Sequence, residues 1–335
     1  MPVLRAAETQ QPAPKENDGV NSLKYYSTSG KANPLRLPSI YVNIQPMNPI
    51  LRLAALAARI LPVSLKQSIY RLKPMARLVR RTLNLAAPAE LSQVKIAAGS
   101  LAGFTFELDL LTEKDYWLGT YEVELQQAVS ELLEPGMCIY DVGANIGYVT
   151  LLLARAAGES GRVVAFEALP ANVARLERHV ALNHLADRVT VVPGAVVDRP
   201  GPVRFLVHPS TSMGKAVGSA GREKMEDYLK EIEVPGLALD GHVFEQGHPP
   251  PQAIKMDIEG GEVLAIKGME RILEEVRPLL LVELHGHEAA RAVWESLVRH
   301  SYTVHRMQPG YPQVNSVEQL NWKAYIVGRP EKIRD

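Results

Sequence analysis

The sequence predicts an α/β protein, a mostly parallel sheet covered by helices on both faces. Three observations carry this expectation. Short apolar runs suited to buried strands, MCIYDV, RVVAF and PLLLVELH, alternate with stretches of helical periodicity. The first run opens into a turn of small residues, Gly143, Ala144 and Gly147, and then into a helix, TLLLARAA. The second ends in Glu167, 26 positions after Asp141, about where an acid at a strand tip grips ribose hydroxyls.

Length and charge bound the reading. With 335 residues, 46% of them hydrophobic, the chain can bury one large domain plus extensions. Cys138, its single cysteine, lies inside the first apolar run; no disulfide framework or thiolate metal site is expected, and a reducing, cytoplasmic compartment fits. The first residues are polar and no apolar run approaches the ~20 residues a spanning helix needs, so neither a signal peptide nor a membrane anchor is expected. The formal net charge is zero, yet residues 1–89 hold 13 Lys or Arg against 3 Asp or Glu, and no acid occurs between Asp18 and Glu90. A basic arm on an acidic body implies docking onto that body or attraction to an anionic surface.

Along the chain, residues 1–46 are rich in Pro, Ser, Asn and Gln and are expected to be disordered. Residues 47–92 read as a basic helical arm, two helices broken near Pro62 with a further interruption at Pro74. Leu53, Leu56, Ala57 and Ile60 share a face, so the arm is expected to pack on the main domain or to bind an anionic membrane surface reversibly through residues 47–81. Without interleaved aromatics, nucleic acid is not the expected partner. Residues 93–330 form the main domain. Val94–Asp109 alternates as a strand or hairpin, and EKDYWLGTYEVELQQAVSELL reads as a loop and a helix leading to the first core strand. A helix (ALPANVARLERHVALNHL), a strand (RVTVVPG) and two extended segments around AVVDRPGPVRFLV follow. The stretch from His208 to Glu231, too long for a simple connection, is the candidate substrate lid. QAIKMDIEGGE, a short helix through Lys267, PLLLVELH, the helix EAARAVWESLVRH, SYTVHRM and NWKAYIVG complete the domain.

The turn suits an adenosine ligand, and its spacing argues which. The glycines read G-A-N-I-G, not G-x-G-x-x-G, and a carboxylate at Asp141 would repel a pyrophosphate but attract the amino group of S-adenosylmethionine. S-adenosylmethionine is therefore expected over NAD. The bland alternative is a turn glycine and a capping Asp in a ligand-free α/β domain. A second constellation, Lys255, Asp257, Glu259 and Glu262, lies where the strand of IKMDIEGGE leaves the core. Crowded carboxylates with one basic partner imply ligand or proton handling, although Glu259 and Glu262 read equally well as helix-capping acids. His285 closes the strand PLLLVELH on the same edge and is either structural or a base; His287 opens the next helix and is expected in solvent. No set of His, Asp and Glu has metal-ligand spacing, so no metal is assigned.

The pairing of DVGANIGYVT and AFEALP with IKMDIEGGEVLAIKG and LLVELHG, preceded by YWLGTYE, resembles the FkbM-type family of S-adenosylmethionine-dependent methyltransferases over about residues 100–327. The resemblance implies a class I methyltransferase sheet, Rossmann-like, of seven strands with the last antiparallel, and methyl transfer to a hydroxyl of a sugar, polyketide or other small metabolite. It implies that Asp141, Gly143 and Asn145 surround the methionine part of the cofactor, with Ala144 and Gly147 completing the turn. Glu167 would hold the ribose, and Asp257 and Glu259 would flank the transferred methyl. In one departure, Ala168 and Leu169 intervene before Pro170, where the family has proline directly. The expected function is O-methylation of a small metabolite or glycan, with Asp257, His285 and Glu259 as catalytic candidates. The rivals are an N- or protein methyltransferase and a non-catalytic adenosyl-binding subunit that docks a partner. The acceptor, expected to be chosen by the 208–231 segment, and the oligomeric state have no signature in the sequence.

Overall fold

The structure, a computed structural model, describes residues 48–61, 72–88, 90–208, 214–220 and 230–331. The disorder expected over residues 1–46, the break near Pro62 and parts of the proposed lid lie outside the described residues.

The arm contains helices Pro49–Ile60 and Lys73–Ala86. Asn48 starts the first, its side chain accepting from Ile50 N at 2.9 Å. Pro74 sits in the first turn of the second, so it begins that helix where the sequence suggested an interruption; the missing N–H is one that a first turn leaves unpaired anyway. The packed face also differs from expectation. Leu51, Ala54, Ala55 and Ala58 lie against the core cluster, because small side chains let the helix approach closely, whereas Leu53, Leu56 and Ile60 point outward.

Strands β1 (Ser92–Lys95) and β2 (Thr105–Leu108) pair as an antiparallel hairpin, and helices Lys114–Leu118 and Val123–Leu132 lead into the main sheet. That sheet uses β3 (Cys138–Val142), β4 (Arg162–Glu167), β5 (Val189–Pro193), β10 (Ala253–Met256), β11 (Leu279–His285), β12 (Tyr302–Arg306), β13 (Gln313–Val314) and β14 (Lys323–Pro330). Its order is β13-β12-β14-β11-β10-β3-β4-β5. Strands β5, β4, β3, β10 and β11 run parallel, and β14 is inserted antiparallel to both β11 and β12. This is the class I methyltransferase order with one addition: the two-residue β13 makes eight strands where seven were expected. Apolar residues fill both faces, forming separate clusters on either side, which is why the strands read as continuous apolar runs.

Between β5 and β10 the chain builds a second sheet from β6 (Ala195–Val196), β7 (Gly201–Val207), β8 (Gly214–Ala216) and β9 (Lys230–Leu237), in the order β6-β9-β7-β8. The described parts of the proposed lid are therefore a strand on β7 and a short strap, whose end is tied down by Ala220 N donating to Gly260 O at 2.9 Å. Among the described residues no helix is long and apolar enough to cross a membrane.

Candidate active site

After β3 the chain turns to β4 on one side, and β10 takes up the other, so a crevice opens at the carboxyl ends of β3 and β10. Open α/β sheets bind ligands at such a switch point. The turn between β3 and the helix Tyr148–Ala157 forms its floor. Gly143 has φ +80°, and a Cβ there would sit 2.0 Å from the Asp257 carbonyl oxygen, so glycine alone lets β3 and β10 diverge this closely. Gly147 serves packing: a Cβ would meet Leu176 Cδ1 at 2.5 Å. Ala144 and Asn145 line the crevice wall with Gly143.

Asp141 does not line it. The carboxylate is wholly buried below the turn, 3.1 Å from Lys255 Nζ and accepting from Thr150 Oγ1 at 2.6 Å. Register explains the pair, since Asp141 on β3 lies directly opposite Lys255 on β10. Lys255 Nζ also donates to Gly143 O at 2.9 Å, so the lysine ties the turn to the sheet beneath it. Burial disfavours its charge, but Asp141, Asp257 and Glu122 hold the proton on, above the usual lysine range. The expected role of Asp141, attracting an amino group and repelling a pyrophosphate, is corrected to a structural one, because its charge is already answered.

Glu167, at the tip of β4, does face the crevice. One carboxylate oxygen accepts from Asn145 N at 2.7 Å and the other from Leu169 N at 2.8 Å. Burial pushes its pKa up while these hydrogen bonds pull the other way. The intervening Ala168 and Leu169 leave the carboxylate held, since Leu169 supplies one of its anchors and Pro170 then starts the next helix.

The far end of the crevice is acidic. Asp257 and Glu259 reach it from the loop after β10, and Glu259 is held at φ +54°. His285, on β11, stands among four carboxylates. Its Nδ1 lies 3.3 Å from Glu262 Oε1; its Nε2 lies 3.1 Å from Glu283 and 3.9 Å from both Asp257 and Glu259. Burial opposes a charge on the ring, yet hydrogen bonds to Glu262 and Glu283 raise its pKa to about 10. Asp257 moves upward too, to about 8: burial disfavours its charge and the Glu283 and Glu122 carboxylates repel it, against the attraction of Lys255. These carboxylates favour the imidazolium form of His285, which weighs against its serving as base. His287 opens its helix exposed.

Several members of this cluster were not assigned from the sequence. Glu283 lies two residues before His285, and the two-residue period of a strand puts both on one face, a signal that E-L-H offers. Lys323, first residue of β14, lies in ion-pair contact with Glu283. Glu122, at φ +44°, is drawn up in pKa by burial, and the Tyr116 and Tyr121 rings, 4.4 Å between centroids and tilted by 49°, line the crevice as well. Tyr116, Tyr121 and Glu122 fall within the YWLGTYE segment, but no sequence spacing joins them to Glu283 or Lys323. Asp257, Glu283 and His285 also present three donor atoms within 4.8 Å of one another, a set capable of holding a metal ion that sequence spacing did not suggest. In this structure His285 and Lys323 already supply cations to Glu283.

The donor set fits S-adenosylmethionine. The buried Asn145 Oδ1 and the Tyr148 hydroxyl, from two residues lining the crevice, have no hydrogen-bond partner among the described residues, leaving polar capacity for a ligand. Glu167 offers remaining lone pairs to ribose hydroxyls, and the carboxylates with the tyrosine faces suit a sulfonium and disfavour a pyrophosphate.

The fold is that of the class I methyltransferases. Residues 141–305 match the methyltransferase FkbM domain. The chain is 42% identical over 77 residues to the tRNA (adenine(58)-N(1))-methyltransferase TrmI of Thermus thermophilus, covering 23% of this chain and 30% of that enzyme. It is 26% identical to the 31-O-demethyl-FK506 methyltransferase FkbM of Streptomyces tacrolimicus, over 51% of this chain and 75% of that one. To the hexuronic acid methyltransferase AglP of Haloferax volcanii it is 28% identical, over 49% and 63%. The chain thus spans less than a third of the TrmI length and just under two thirds of AglP.

Proposed function

We propose that the protein transfers a methyl group from S-adenosylmethionine to a hydroxyl oxygen of a small metabolite or glycan. The observation that carries this reading is the placement of Asp257 on the crevice lined by Asn145, Glu167 and the two tyrosines; burial draws its pKa up to about 8, which suits it to taking a proton near neutral pH. The cofactor supplies an electrophilic methyl on a sulfonium. Glu167 and Asn145 hold its polar groups, and Tyr116 and Tyr121 exclude water from the crevice. Asp257 would accept the acceptor's hydroxyl proton as the oxygen takes the methyl carbon, the methyl–sulfur bond breaking and its electron pair staying on sulfur so that the cofactor leaves as a neutral thioether. His285 acts through the carboxylates: as a cation between Glu262 and Glu283 it holds the edge in place and limits its negative charge.

Likeness to the 31-O-demethyl-FK506 methyltransferase and to the hexuronic acid methyltransferase supports a hydroxyl or sugar acceptor, and the segment shared with TrmI favours a second reading, N-methylation. The test is incubation with labelled S-adenosylmethionine and parallel panels of hydroxylated and amine acceptors, with mass spectrometry of the product. The expected product is an O-methyl ether, and Asp257→Asn is expected to lower turnover by about 10² to 10⁴. A product methylated on nitrogen, or an Asn variant with unchanged turnover when methyl transfer limits the rate, overturns the reading.

A further inference from the structure

The arm helices each have an apolar side that the body leaves uncovered. In Pro49–Ile60, Leu51 and Ala58 are buried, while Leu53 and Ile60 are each 68% exposed on the opposite side, with Leu56 beside them. At about 100° per residue, positions 53, 56 and 60 form one stripe roughly half a turn from positions 51 and 58. Lys73–Ala86 repeats the pattern: Leu83 and Ala86 are buried, while Leu78 is 65% and Leu85 81% exposed. A helix that needed only to pack on the body would not carry large aliphatic side chains on its outer side, and such patches mark an interaction surface.

Charge decides what it fits. Arg52, Arg77 and Arg81 are exposed on the same two helices, and no acidic residue interrupts the sequence from Asp18 to Glu90. Arg59 is committed elsewhere, its Nε donating to Ala97 O at 2.9 Å. Joining two copies through this face would bring like charges together, whereas a bilayer surface bearing acidic headgroups offers countercharge beside an apolar interior. The helices, 12 and 14 residues long, are too short to span and suited to lying in the interface plane.

We propose that helices Pro49–Ile60 and Lys73–Ala86 dock the protein reversibly on an anionic lipid surface, with leucine and isoleucine side chains entering it and arginines contacting headgroups. The net-acidic remainder of the chain is repelled by such a surface, which confines contact to the arm.

Flotation of the full chain with phosphatidylcholine vesicles, with and without phosphatidylserine, tests this. The protein is expected to float with the anionic vesicles at low salt, to stay behind with the neutral ones, and to be released at high salt. Arg52→Gln and Arg81→Gln are each expected to weaken partition by up to about fivefold, equivalent to about 1 kcal/mol per charge. The double variant Leu53→Gln, Leu56→Gln is expected to abolish flotation without moving the thermal midpoint, because neither side chain is buried. Equal flotation with neutral vesicles, none at low salt, or arginine variants that float like the parent would overturn the proposal. So would light scattering that shows a dimer dissolved by the leucine variant, which assigns the face to a second copy.

Discussion

His285 and Asp257 divide the work that the sequence offered to either. A histidine beyond a buried strand reads as a base because an unperturbed imidazole titrates near neutral pH. What cannot be read from one strand is that Glu262 and Glu283 flank both ring nitrogens, which holds the proton on until about pH 10. The consequence is a bell-shaped rate profile. Asp257 must be deprotonated to accept a proton, so turnover is expected to rise with pH through about 8; His285 must stay protonated, so turnover falls through about 10. His285→Gln is expected to remove the alkaline fall and keep the rise. Initial rates from pH 6 to 11 at saturating substrate check this, and an alkaline fall that persists in the variant assigns that limb to another group.

At the scale of elements, the neighbouring strands β3 and β10 meet through a buried ion pair whose members stand 114 positions apart in sequence. Both strands were legible as apolar runs, but their adjacency was not, so Asp141 read as a ligand group when its partner was simply the residue opposite. The Gly143 turn and Glu167 were legible for a different reason: each depends on local backbone chemistry within one βαβ unit. Removing one charge of the pair should cost far more than removing both. Lys255→Met leaves Asp141 buried and uncompensated, with an expected loss of about 3 to 5 kcal/mol, whereas Lys255→Met with Asp141→Leu is expected to recover most of it. Urea unfolding of the two single variants and the double variant measures the coupling. A double variant as unstable as the sum of the singles would mean that the two charges act independently.

Over the whole molecule, the alternation of strands and helices made the parallel sheet legible, because strands buried on both faces must be apolar throughout. The second sheet was legible only in part: the extended segments around AVVDRPGPVRFLV hold β6 and β7, whereas the three-residue β8 is too short for any period to register. The site's proton store also marks global stability. Asp257 and His285 both have folded pKa values raised above their ordinary 3.8 and 6.5, so the folded state binds more protons and their contribution is lost as pH rises toward about 8 and about 10. Urea midpoints are expected to fall from pH 6.5 to 10, and His285→Gln should flatten that decline; an equally steep decline in the variant would locate its source elsewhere. The placement of β14 has a further consequence, for biosynthesis. This strand enters between β11 and β12, both made before it, and brings Lys323 to Glu283. A ribosome adding about 5 to 20 residues per second presents β11 and β12 while the slot between them is still open. Their facing edges offer unpaired N–H and C=O groups in that interval, so the nascent chain must hold the slot against wrong partners until its own strand arrives. The acidic edge of the crevice is complete only then, which couples the first possible turnover to the closing of the sheet.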